Sequence, residues 1–160
     1  MPLRSPPTPS PPSWTPPSPT HPPNNYILAL TAWENHFHAH FNRYLFGVQR
    51  YHSGIIVIRA LLRSRVSTMG RDECRALKRE IAELVDKVRR IREKTLARQC
   101  ELQWVYESWM AVRFEGVETE RRKKERAGFV RWMRGLVGRL DEGVEVIGEA
   151  DEMSAEWKTW

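Results

Sequence analysis

All 11 prolines lie between Pro2 and Pro23, and none occurs from Asn24 to Trp160. Proline inside a helix removes a backbone donor and collides with the preceding turn. Helix is therefore forbidden before Asn24 and unobstructed after it. The chain divides accordingly into a disordered Pro/Ser/Thr-rich arm over 1–23, one helical domain over 24–150 and a short acidic tail over 151–160. The arm has almost nothing to bury, and its composition favours extended polyproline II. Ser5, Thr8, Ser10, Thr15 and Ser18 each precede a proline, so the arm is open to proline-directed phosphorylation, which would reverse its weak positive charge.

From Tyr26 the apolar residues recur by threes and fours. Trp33, Phe37, Phe41, Tyr44, Val48, Tyr51, Ile55, Ile58 and Leu62 follow in that phase, which is one face of a helix over about 25–66. Gly47 and Gly54 are places where it could bend. Met69-Gly70 reads as a turn, with Asp72 and Glu73 suited to the first turn of the next helix.

A second helix over 71–113 carries a partner-helix seam. Leu77, Ile81, Leu84, Val88 and Ile91 alternate by fours and threes. Thr95 and Arg98 interrupt the run, and Leu102, Val105, Trp109 and Val112 resume it in phase. A third helix is expected over 118–149, either continuous with the second or broken from it near Gly116. The fold class is thus all-α: long helices with heptad seams, forming an antiparallel hairpin or a coiled-coil-like three-helix bundle.

The third helix contains an amphipathic segment. Phe129, Trp132, Met133, Leu136 and Leu140 lie on its apolar side together with Val144, while Arg131 and Arg134 lie opposite. Just before them stands a basic cluster, Arg121, Arg122, Lys123, Lys124 and Arg126, expected to face solvent. Such a segment suits a bundle, an anionic membrane surface or a calmodulin-type groove, and the cluster also fits a nuclear localisation signal. Across the chain 26 Lys and Arg oppose 20 Asp and Glu, a net charge of +6. Residues 140–160 hold seven acidic side chains and one basic, so the excess is concentrated upstream.

No catalytic, phosphate-binding or metal-binding motif is present, and neither a catalytic residue nor a cofactor is expected. His36, His38 and His40 resemble a metal cluster only as a strand; on a helix His38 points away from the other two. Cys74 and Cys100, on one helix, stand ~39 Å apart, too far to bridge within the chain, and so fit a reducing compartment, cytoplasm or nucleus. The apolar runs fall short of the ~20 residues a transmembrane span requires. These features lead to a non-enzymatic helical interaction subunit or adaptor, bound to a protein partner or to itself. The alternatives are nucleic-acid binding through basic helix faces, or membrane or calmodulin-type binding by 121–140.

Overall fold

A computed structural model describes residues 23–64 and 68–156, so the arm reading for 1–22 and the end of the acidic tail lie outside the described residues. Three helices make up the fold: α1 (Pro23–Leu62), α2 (Arg71–Arg113) and α3 (Glu120–Glu156). Among the described residues there is no strand. Contacts run α1 to α2, α1 to α3 and α2 to α3, closing a bundle-like three-helix core. Tyr26 near the start of α1 bonds the carbonyl of Arg113 at the end of α2, so these two helices are antiparallel. Tyr51 of α1 meets Leu140 of α3, and Phe37 meets Phe129, so α1 and α3 run the same way.

The helix limits correct the sequence reading at four points. α1 begins on Pro23, a residue suited to the first helical position because its missing N–H has no partner there anyway. It ends at Leu62, short of residue 66. α3 begins at Glu120, two residues later than expected, because Thr119 caps it: the Thr119 hydroxyl accepts from the Arg122 backbone N–H at 3.1 Å. α3 then runs to Glu156, so residues 151–156 are helix rather than tail.

The chain breaks between α2 and α3. Gly116 N–H donates to the Ala111 carbonyl at 2.8 Å and Glu115 N–H to Val112 at 3.2 Å, the paired bonds of a Schellman helix end. This motif puts a residue in the left-handed region, here Glu115 at φ 50°, with Gly116 following at φ 76°. α2 starts more simply: Glu73 accepts from the Gly70 backbone N–H at 3.1 Å, satisfying one of the donors left open at a helix start.

Three close approaches determine how the helices sit. A Cβ added at Gly47 would stand 2.5 Å from the Thr95 hydroxyl, and one at Gly54 would collide with Val88. At Gly143 it would collide with the ring and hydroxyl of Tyr51. Gly47 and Gly54 therefore admit α2 against α1, and Gly143 admits α1 against α3. The Tyr51 hydroxyl passes over Gly143 to donate to the Leu140 carbonyl at 2.8 Å. Burial raises the Tyr51 pKa above its ordinary value, which keeps the phenol a donor. In the space this leaves, Tyr44, Tyr51, Ile58, Leu102, Met110, Met133 and Leu140 are almost wholly buried.

Two substitutions test these local arguments. Glu115→Gly relieves a left-handed L-residue at a cost of some unfolded-state entropy, and should stabilise the fold by about 0.5–1 kcal/mol in a denaturant melt. Gly143→Val pushes Tyr51 off α3 and should destabilise it by about 1–3 kcal/mol, with the melt checked by helical circular dichroism.

Candidate interaction surfaces

The α2 seam residues divide by depth. Leu77, Ile81, Val88, Leu102 and Val105 are buried in the core, while Leu84, Ile91, Trp109 and Val112 are half-buried at its margin. Three core residues lie off the seam: Val85, Tyr106 and Met110. Each directly follows a marginal or core seam position, because α2 packs against two helices at once and its buried face is wider than a two-helix seam. Cys74 is half-buried and Cys100 exposed. Thr95 is buried, and its hydroxyl donates to the Ile91 carbonyl at 2.7 Å, one turn back. This satisfies a polar group at the Gly47 crossing. Arg98, the other interruption, reaches the Arg43 carbonyl at the surface, 3.3 Å away.

On α3, Met133, Leu136 and Leu140 are buried and Phe129 and Trp132 are half-buried. The apolar side continues through Val146, Ile147 and Ala150; Val144, placed on it by the sequence pattern, is instead 46% exposed. The shift follows from Gly143, whose close contact with Tyr51 turns that position inward and the next one out. Phe129 stacks on Tyr106 at 3.9 Å between ring centres, and Trp132 stacks on Phe41 at 5.0 Å. Phe37 stacks on Trp109 at 5.0 Å, so aromatic rings from all three helices close this end of the core.

The basic cluster is largely neutralised by the fold. Arg121 pairs with Glu125 and Lys123 with Glu120, at 3.2 and 2.9 Å. Arg126 holds both Glu107, at the end of α2, and Glu118, in the turn, with contacts of 2.8 and 2.6 Å. Arg113 joins α2 to α3 through Glu125 at 2.8 Å. Arg122 does not face solvent as the pattern implies: it is 8% exposed, lying over the turn with Glu118 at 3.5 Å and the Val117 carbonyl at 3.4 Å. Glu120 and Glu125 pair with these cations within α3, while Glu107 comes from α2 and Glu118 from the turn, so the basic run becomes a mixed-charge bracket in space. Hydrogen bonding from Arg126 holds the Glu118 carboxyl below the usual glutamate range. Lys124, Arg131, Arg134 and Arg139 remain exposed along the outside of α3.

His36 and His40 stack edge to face at 4.6 Å, while His38 lies beside Glu34 at 3.9 Å. Burial, and then the neighbouring His36, lower the His40 pKa, although Glu101 stands 3.5 Å from its ring. Among the described residues no group of three or more potential ligands is placed to hold a metal ion. Likewise, no helix there is long and apolar enough to cross a membrane.

The surface that sequence reasoning missed is on α1. Leu28, Phe46, Ile56 and Val57 are 67, 56, 52 and 46% exposed, away from both neighbouring helices. Arg50 lies over the Phe46 ring, 5.6 Å from its centre. The signal was available in composition: α1 has four charged residues in 40, Glu34, Arg43, Arg50 and Arg59, whereas α2 has 19 in 43. A helix this apolar on every side is normally covered on every side. No family model matches this chain, and no match was found among curated proteins or solved structures.

The Glu118 pairing has a pH signature. Its folded value lies below the unfolded one, so the pairing contributes above the unfolded value and is lost as pH falls through the folded value. In a carboxyl-detected NMR titration, Arg126→Ala should move the Glu118 midpoint upward toward that of an ordinary glutamate.

Proposed function

We propose that the chain is a non-enzymatic helical interaction subunit or adaptor. Its outward helix surface takes a protein partner, and its Pro-rich arm serves as a tether open to phosphorylation. The observation that carries this reading is the exposed apolar side of α1, with Leu28, Phe46, Ile56 and Val57 turned away from the bundle. The 3-4 spacing on α2 and α3 supports a coiled-coil type of packing beneath it, in which the seam residues supply the framework. Membrane or calmodulin-type binding by 121–140 receives less support, because Met133, Leu136 and Leu140 are in the core and would have to leave it. Cys74 and Cys100, both on α2 and too far apart to bridge within the chain, suit a cytoplasmic or nuclear setting.

Nucleic-acid binding is the second reading, favoured by the exposed line of Lys124, Arg131, Arg134 and Arg139 on α3. It ranks below the first because Arg121, Lys123 and Arg126 already have carboxylate partners, which leaves fewer cations to displace counterions from phosphate.

The two readings separate in cells and in solution. Proximity labelling in the native cell should lose a defined set of proteins when Phe46→Asp and Ile56→Asp are combined, with the fold intact by circular dichroism. Changing Lys124, Arg131, Arg134 and Arg139 to Glu should leave that set in place. The reverse pattern, with duplex binding that weakens steeply between about 50 and 200 mM salt, would establish the nucleic-acid reading instead.

A further inference from the structure

The outward side of α1 is a heptad stripe of its own. Stepping alternately four and three residues from Leu28, it passes Ala32, Asn35, Ala39, Asn42 and Phe46. It continues through Gln49 and Ser53 to Ile56 and Ala60, and every one of these positions is exposed. No charged residue falls on it; the four charges of α1 all lie beside it. Between Ala76 and Ala97, both exposed, the outward side of α2 at the same spacing reads Arg79, Glu83, Asp86, Arg90 and Glu93, five charged and exposed positions in a row. Solvent explains the α2 pattern, and a helix partner explains the α1 pattern.

The order of residues along the stripe names the partner. Laid antiparallel on itself, with the two-fold axis at Asn42, the stripe is self-complementary. Leu28 meets Ile56 of the second copy, Ala32 meets Ser53, Asn35 meets Gln49, and Ala39 leaves room for Phe46. Large apolar groups face each other at the ends, amides face each other in between, and Asn42 faces its own copy on the axis. Amides at seam positions select register and orientation at some expense in affinity. The chain's net charge of +6 opposes self-association through charged surfaces, and the charge-free stripe avoids that repulsion. We infer that α1 is the interface of an antiparallel homodimer with its dyad at Asn42, a second copy of this chain being the partner.

This deepens the interaction-subunit reading and rests on it. From Leu28 to Ile56 the stripe is ~42 Å long and about one helix wide. With its flanks it buries on the order of 1,000 Å² in total, the lower end for a specific interface. An interface of this size belongs to the weak, reversible class.

Sedimentation velocity of the full chain over a concentration series should show mass rising from monomer to dimer. Phe46→Asp, which puts a carboxylate against Ala39 twice per dimer, should raise the midpoint about 100-fold or more while leaving the helical signal unchanged. Orientation is read with a short bismaleimide in a Cys74→Ser, Cys100→Ser background. Asn42→Cys should crosslink, and Leu28→Cys should not, since two copies of residue 28 stand ~42 Å apart in this arrangement. Crosslinking through Leu28→Cys alone would show a parallel pair and overturn the proposal. So would monomeric mass throughout the series. If that monomer still lost its labelled proteins on Phe46→Asp with Ile56→Asp, the stripe would belong to a different protein and the broader reading would stand. If the labelled set were unchanged as well, both would fall.

Discussion

Tyr51 lying across Gly143 is the contact on which the arrangement of the three helices depends. Its ring occupies the space where any other residue would carry a Cβ, and its hydroxyl is bonded to the Leu140 carbonyl. That sets the height of α1 along α3. The crossings of Gly47 with Thr95 and Gly54 with Val88 set the height of α1 along α2. With these three contacts made, the aromatic end of the core closes through contacts among Phe37, Phe41, Tyr106, Trp109, Phe129 and Trp132. The glycines are thus sites of approach; the helix passes through Gly47 and Gly54 without interruption.

Charge follows from the same arrangement. Antiparallel packing of α2 and α3 brings Glu107 and the turn carboxylate Glu118 to Arg126, and Arg113 to Glu125. Toward the other end, Arg89 bonds Asp151 and Arg92 reaches Asp141 at 3.2 Å. The basic upstream segment and the acidic downstream one, segregated along the chain, are therefore interleaved across the α2–α3 seam. Surface pairs of this kind contribute little each to stability. They also occupy Arg121, Lys123 and Arg126, while Lys124, Arg131, Arg134 and Arg139 stay exposed on α3.

The sequence made the helical class and the main seam legible, because proline exclusion and 3-4 spacing are local properties that each residue carries wherever it packs. Leu77, Ile81, Val88, Leu102 and Val105 could be placed on one face without knowing what they face. Val85, Tyr106 and Met110 could not, since they are buried only because α2 has a second neighbour. The break at Glu115-Gly116 was undecided in sequence because the apolar phase of α2 continues into α3. The Thr119 hydroxyl, a helix-start residue three positions after Gly116, was the local signal for it.

By itself, then, the sequence determined that the described chain after Pro23 is mainly helical, where its apolar stripes run, and that α1 is unusually poor in charge. Backbone sterics and side-chain hydrophobicity act within one or two turns, so these features need no tertiary contact to be read. Only the tertiary structure decided that Val85, Tyr106 and Met110 join the core, that Val144 does not, and that Arg126 of the basic run reaches Glu107 on α2. Those outcomes depend on distances between residues far apart in the chain, and such distances exist only after Gly47, Gly54 and Gly143 have let the helices come together.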